Sequence, residues 1–174
     1  MSQRDSGYVR KERDAYETPE WVTRVLVSHI RLGPGEVSIW EPANGSGKMS
    51  RVLAEAGYDV HATDIETGDD FLNPATHKVQ WWPAIITNPP YTHAKEFIEC
   101  SLQRAGFVAM LLRADYDHAK TLQHLFLDTR FAKKLILTKR IRWFEGTKGG
   151  PSFNHAWYIW DVEHKGPPTL AYGP

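Results

Sequence analysis

Ile39-Trp40-Glu41-Pro42-Ala43-Asn44-Gly45-Ser46-Gly47 is the stretch that decides how this chain is built. It starts in the apolar run Val37-Ser38-Ile39-Trp40, which reads as a strand. It ends on two glycines that let the backbone turn tightly into a helix over residues 49–56. The same alternation continues outward. Residues 59–63 read as a second strand, 79–82 as a short third and 84–87 as a buried one. A helix over 94–104 and a strongly apolar strand over 107–112 follow. Residues 115–127 read as helical, 135–138 and 156–160 as extended. Upstream, Thr18-Pro19 opens a helical pattern through Val22, Val25, Leu26 and Ile30, with Thr18 as N-cap, and Gly33-Pro34-Gly35 stops it. Strand and helix in alternation predict an α/β fold: a mostly parallel sheet with helices on both faces. In such sheets ligands bind at the carboxyl ends of the strands.

The 174 residues suit one domain, with 1–13 and the Pro- and Gly-rich tail 162–174 as loose ends. No apolar run approaches the roughly 18 residues of a membrane span, and the polar N-terminus has no signal-peptide core. The single cysteine, Cys100, sits in an apolar-periodic stretch and reads as a buried structural thiol. One cysteine allows no internal disulfide and fits a reducing, cytoplasmic compartment. His118 and His124 lack the Cys or carboxylate spacing of a metal site, so no metal is expected. Net charge is zero, but it is polarised. Residues 130–150 carry seven basic residues (Arg130, Lys133, Lys134, Lys139, Arg140, Arg142, Lys148) against Glu145, while 55–73 carry six acids and no Lys or Arg. That suggests one face for a polyanion and another for a different ligand.

The glycine turn fits neither of two phosphate-binding patterns. A P-loop needs Gly where Pro42 stands and Ser or Thr where Met49 stands, and a dinucleotide loop needs Gly where Ser50 stands. Glu41 at the strand end disfavours phosphate and suits a cation, such as the ammonium and sulfonium of S-adenosylmethionine. Asp64 ends the next strand, 17 residues after Gly47, where a carboxylate can accept both ribose hydroxyls. Ile65 would lie on the adenine ring. Asp70 offers an acceptor for the adenine amino group and Phe71 an aromatic face.

Residues 85–87 deliver the chain into Asn88-Pro89-Pro90-Tyr91. Two prolines lock the turn and remove two N–H donors. The Asn88 side-chain oxygen and the Pro89 carbonyl are left as convergent acceptors, which is what an –NH2 group requires. Hydrogen bonds to both amine protons favour a tetrahedral nitrogen, free its lone pair and stabilise charge developing on it. Tyr91 supplies a face for a planar group.

Together these residues resemble the amino-methyltransferases that use S-adenosyl-L-methionine, particularly adenine-N6 DNA methyltransferases of the phage and restriction-modification type. Asp14-Ala15-Tyr16-Glu17-Thr18-Pro19 looks like the family's N-terminal motif, which places Tyr16, Thr18 and Pro19 at the methionine end of the cofactor. Glu41, Pro42, Ala43, Asn44, Gly45 and Gly47 match its cofactor loop, Asp64 and Ile65 the ribose and adenine positions, Asp70-Phe71 the adenine site, and Asn88-Pro89-Pro90-Tyr91 the catalytic motif, with Asn88 also beside the cofactor. The resemblance covers about residues 14–161 and has the gamma order of motifs. It implies the Rossmann-like class I methyltransferase sheet, seven strands with the last antiparallel. It also implies double-stranded DNA as partner, an adenine flipped from the stack, and a bacterial or phage-infected cell. A homodimer is compatible with it. Gamma enzymes usually carry a separate recognition domain after the catalytic one, for which this chain has no room, so short or weak sequence preference is expected. Arg140 and Arg142 then suit phosphates, and Phe144 and Phe153 are the aromatics expected against the extruded base. His155 reads as structural. The same turn would serve an RNA base or a protein glutamine amide. A different class, an inactive subunit that holds cofactor or DNA, is disfavoured by the intact Asn88 and Glu41.

Overall fold

A computed structural model describes residues 16–76, 80–143 and 153–174. Among the described residues the α and β elements run in the order α1 (Glu20–Val27), β1 (Ser38–Glu41), α2 (Lys48–Glu55), β2 (Asp59–Ala62), β3 (Trp82–Thr87), α3 (Ala94–Leu102), β4 (Ala105–Arg113), α4 (Gln123–Phe126), β5 (Phe131–Leu137), β6 (His155–Asp161) and β7 (Thr169–Gly173). The strands form one sheet in the order β2-β1-β3-β4-β6-β5-β7. Neighbours are parallel except where β6 runs against both β4 and β5.

Two apolar layers hold the helices on. Alternate residues of each strand point to opposite faces, and both faces are covered, which explains why Ala84-Ile85-Ile86 is apolar throughout. Ile86, Ala109, Leu111 and Trp157 pack against Val22, Val25 and Leu26 of α1 and Met49 and Leu53 of α2. Ile85, Val108, Met110, Tyr158 and Trp160 pack against Phe97, Ile98 and Leu102 of α3 and Leu125 of α4. Buried indoles are bonded: Trp157 Nε1 donates to Val22 O (3.1 Å) and Trp160 Nε1 to Leu125 O (2.8 Å).

Five expectations change. First, Pro19 and not Thr18 caps α1, and the helix ends at Val27 rather than Ile30. The Ser28 hydroxyl (2.8 Å) and His29 Nδ1 (2.9 Å) bond the Val25 carbonyl and end the turn there. Second, Trp82 opens β3 and residues 80–81 form no separate strand; 77–79 lie outside the described residues. Third, residues 115–127 are two 3-10 turns, Tyr116–His118 and Lys120–Leu122, before the one-turn α4. Extended backbone at Ala119 (ψ 124°) interrupts what the apolar spacing suggested.

Fourth, the tail 162–174 is not a loose end, because Thr169–Gly173 pairs with the outer edge of β5. Gly166 turns the chain at φ 99°. Thr138 then anchors the strand end, its N–H and hydroxyl both donating to Gly173 O (3.0 and 2.8 Å). A side chain at Gly173 would collide with Val25, so only glycine lets the strand lie this close to α1. Fifth, the sheet does have seven strands, but the antiparallel one is β6; the last is parallel. Segments 1–13 and Asp14-Ala15 lie outside the described residues.

Candidate active site

The site forms where β1, β2 and β3 end side by side. Glu41 closes β1 and is 1% exposed. Its Oε1 accepts from the Thr87 hydroxyl (2.5 Å) and from the Ala43 N–H (2.9 Å). The carboxyl thus bridges the glycine loop and the last residue of β3. Burial pushes it up to about 8, and Asp64 adds to that; the bonds from Thr87 and Ala43 oppose it.

The loop itself behaves as its composition requires. Gly47 sits at φ 80° as the residue before α2, a left-handed turn that side chains resist. Gly47 N–H donates to Asn44 O (2.9 Å), and Asn44 N–H to Thr63 O (3.0 Å). The Asn44 side-chain oxygen is buried without a partner among the described residues. Asp64 follows β2. Its two oxygens accept from Gly45 N–H (2.7 Å) and Glu66 N–H (2.9 Å), fastening the loop to the neighbouring strand end. Ile65 is 64% exposed next to it. Asp70 is half-buried and accepts from Leu72 N–H (3.0 Å). Phe71 departs from expectation. It is buried in the core, edge-on to Trp40 (5.0 Å) and against Phe97 (4.8 Å), so its ring offers no open face to an adenine. A ring of that size gains more from filling the space above α3 than from standing in water.

The Asn88-Pro89-Pro90-Tyr91 turn leaves the end of β3. Pro89 is buried, Pro90 half-buried, and the Pro90 carbonyl accepts from His93 N–H (2.9 Å). Asn88 Nδ2 donates to Tyr16 O (2.9 Å). Its Oδ1 is buried with no partner among the described residues. Tyr91 lies between two rings: Tyr16 at 6.0 Å and His155 at 6.1 Å, both stacked at 24°. Trp143 closes the group, 5.3 Å from Tyr16 and edge-on to His155 at 5.1 Å. Burial first, then Arg113, lowers His155 to about 4, so its ring is neutral. Thr18 is buried below, and Glu17 pairs with Lys48 (2.7 Å), tying the N-terminal motif to α2.

His155, beside Tyr91, and Trp143, against Tyr16 and His155, were not chosen as site residues from the sequence. Their signal was present: Ile141 and Trp143 alternate around the exposed Arg142, so both turn inward. Phe144 lies outside the described residues. Phe153 is 36% exposed and carries the Arg113 guanidinium 4.0 Å above its ring. The basic segment is partly spent within the fold. Arg130 pairs with Asp128 (2.6 Å), Lys134 with Asp117 (2.6 Å), and Lys133 donates to His29 O (2.8 Å). Arg140 and Arg142 stay exposed, Arg140 donating to Asn154 Oδ1 (2.8 Å). Among the described residues no helix is long and apolar enough to cross a membrane, and no cluster of three His, Cys, Asp or Glu could hold a metal.

No family model and no curated protein matches the sequence. Solved structures do. A protein from Listeria monocytogenes described as a class I S-adenosylmethionine-dependent methyltransferase superposes with a TM-score of 0.60 at 16% identity, over 88% of this chain and 62% of its own. The chain has the class I methyltransferase fold. The type IIG restriction endonuclease BpuSI superposes at 0.62 and 16% identity over 88% of this chain, which spans only 26% of that enzyme. A precorrin-6y C5,15-methyltransferase from Geobacter metallireducens superposes at 0.57 and 14% identity, covering 90% of this chain and 95% of its own. A restriction enzyme and a corrin enzyme share this frame, so the acceptor must be argued from the site.

Proposed function

We propose that the chain binds S-adenosyl-L-methionine and methylates the exocyclic amino nitrogen of a nucleic-acid base, adenine N6 in DNA. One observation carries the reading: the Asn88 side-chain oxygen is buried, held in place by the bond from Nδ2 to Tyr16 O, and partnerless among the described residues. Leaving such an acceptor unpaired costs about 1–3 kcal/mol, and an amino group entering the site would satisfy it.

The cofactor side is fitted by four features. Asn44 Oδ1 is a second buried acceptor without a partner among the described residues. Gly45 and Gly47 bring the backbone close. Asp64 keeps lone pairs for ribose hydroxyls beyond the two N–H bonds it accepts. Ile65 presents an apolar side to the adenine. The bound cofactor supplies a methyl group carried on a sulfonium. Glu41 would face that positive charge through the loop, and a cation there would favour its ionised form.

On the acceptor side, Asn88 Oδ1 accepts an amine N–H and draws the nitrogen lone pair out of conjugation with the ring. Transfer would form the C–N bond as the methyl–sulfur bond breaks and a neutral thioether leaves, and the positive charge passed to the nitrogen would be stabilised by the same oxygen. The alkylated amine then sheds a proton to water without a dedicated base; neutral His155 stands behind Tyr91. A base stacking on Tyr91 must displace one of its two covering rings, and Tyr16 is the one not built into a strand. A duplex adenine reaches this depth only by leaving the stack, and Arg140 and Arg142 stand exposed for flanking phosphates.

The test is transfer of tritiated methyl to DNA, RNA and protein pools, followed by mass analysis of the labelled product. N6-methyladenine in DNA is expected. Label confined to RNA or to glutamine would overturn the acceptor, and no label in any pool would favour an inactive binding subunit.

A further inference from the structure

Strand β7 forms one outer edge of the sheet. Thr169–Gly173 is bonded to β5 on one side and to no other strand among the described residues. Gly173 O accepts from Thr138 N–H (3.0 Å), so the polar groups of Gly173 point toward β5. A residue's N–H and C=O leave a strand on the same side, and that side alternates along the chain. Thr169, Ala171 and Gly173 therefore bond inward, while the N–H and C=O of Leu170 and Tyr172 point out from the sheet edge. The side chains of these two residues share one face, being two positions apart, and are 56% and 61% exposed.

Edge strands are commonly blunted by charge, by proline within the strand or by a bulge. β7 uses none of these. Its residues are uncharged, as is the whole run from Gly166 to Pro174, and its ladder with β5 runs in unbroken register from Thr169 to Gly173. Pro168 stands where the next outward N–H would be and has none to give, so further pairing would stop at the strand's own start. The opposite edge of the sheet differs. β2 includes Asp59 and His61 and offers no large exposed apolar side chain.

The edge of β7 matches itself. Turned about a two-fold axis through Ala171, a second copy runs antiparallel, with its Tyr172 opposite Leu170 and its Leu170 opposite Tyr172. Outward residues then face outward residues, and each couple exchanges both N–H···O bonds. The same couples set an aliphatic side chain against an aromatic ring, a favourable cross-strand pair, and no like charges oppose the approach. An axis at Leu170 would set Tyr172 against Pro168, and an axis at Tyr172 would set Leu170 against Pro174; neither proline has an N–H to give. Since β7 runs parallel to β1 and β3, the Asn88 turns of the two copies would open in opposite directions, and neither copy would cover the other's site.

We propose that β7 is a self-association edge: two copies of the chain pair β7 to β7, antiparallel and centred on Ala171, in one continuous sheet. The pairing is independent of the acceptor that the enzyme methylates. An interface built on one short strand is small for a protein pair, so the dimer dissociates on dilution. Sedimentation velocity of the full chain over a wide concentration series should show a reversible monomer–dimer equilibrium. Tyr172→Ala removes both cross-strand couples and should weaken it by roughly 2- to 30-fold. The side chain is exposed, so an unchanged melting temperature at low concentration would verify the fold. Register is read by oxidation in a Cys100→Ser background. Ala171→Cys should cross-link to its own counterpart, because the two Cα atoms across the axis would lie about 4.5 Å apart, within disulfide reach. Thr169→Cys, which would face Gly173 of the second copy, should not. A chain that stays monomeric throughout the series overturns the pairing. So does a dimer indifferent to Tyr172→Ala, or one that cross-links through residue 169 and not through 171.

Discussion

Glu41→Gln separates the electrostatics of the glycine loop after β1 from everything else in the fold. Glutamine has the same shape and can keep the bonds from Thr87 and Ala43, but it cannot ionise. In the folded protein Glu41 titrates near 8 instead of its ordinary 4.5. Between those values the native state holds a proton that the unfolded chain has released, so stability falls as pH rises. The slope is about 1.4 kcal/mol per pH unit, and the loss approaches about 5 kcal/mol by pH 8 and levels off above it. Below the ordinary carboxylate range both states are protonated and the contribution vanishes. Urea unfolding of ligand-free wild type and variant, at several pH values between about 5 and 8, isolates the term because all other titrations cancel in the difference. The Gln variant should gain on wild type by about 1.4 kcal/mol for each pH unit. Parallel stability curves would refute a buried, proton-holding Glu41. Adding S-adenosylmethionine reverses the preference: its cationic head favours the carboxylate, so binding should release a proton from wild type and tighten as pH rises toward 8. Calorimetry in two buffers of different ionisation enthalpy reads that proton, which the variant should not release.

Asn88→Ala removes the buried side-chain acceptor proposed to hold the amine and should lower kcat by about 100- to 1000-fold, the cost of one transition-state hydrogen-bond partner, while cofactor affinity by titration calorimetry changes little; unchanged kcat would remove Asn88 from the chemistry. Gly173→Val should cost about 1–3 kcal/mol through overpacking against Val25, read as a lowered denaturation midpoint, whereas a dangling tail would show no change. Arg142→Ala should reduce the slope of log binding constant against log salt by about 0.9 on duplex DNA; an unaltered slope would place Arg142 away from phosphates. Trp143→Ala should leave cofactor affinity intact and raise KM for the acceptor, since the ring braces Tyr16 and His155 around Tyr91; weaker cofactor binding with an unmoved KM would place Trp143 on the cofactor side instead.

What the sequence by itself determined was local and periodic. Ile39-Trp40 before Gly45 and Gly47, and Ile85-Ile86 before two prolines, state where strands end and turns begin, because alternation and backbone restriction act between neighbours in the chain. That sufficed for the α/β class, the glycine turn between β1 and α2 and the position of Asn88-Pro89-Pro90-Tyr91. Tertiary structure decided what depends on distant partners. The tail became β7 because the free edge of β5 and a space beside Val25 were there to receive it, and no local signal in a Pro- and Gly-rich segment records an edge 35 residues away. Phe71 went to the core because Trp40 and Phe97 meet there. Arg130, Lys133 and Lys134 look in the sequence like a polyanion face but are consumed by Asp128, Asp117 and a carbonyl of His29. The rings on Tyr91 come from residues 16 and 155, with Trp143 against both of those, and packing of that kind is a property of three-dimensional proximity that spacing along a chain does not encode.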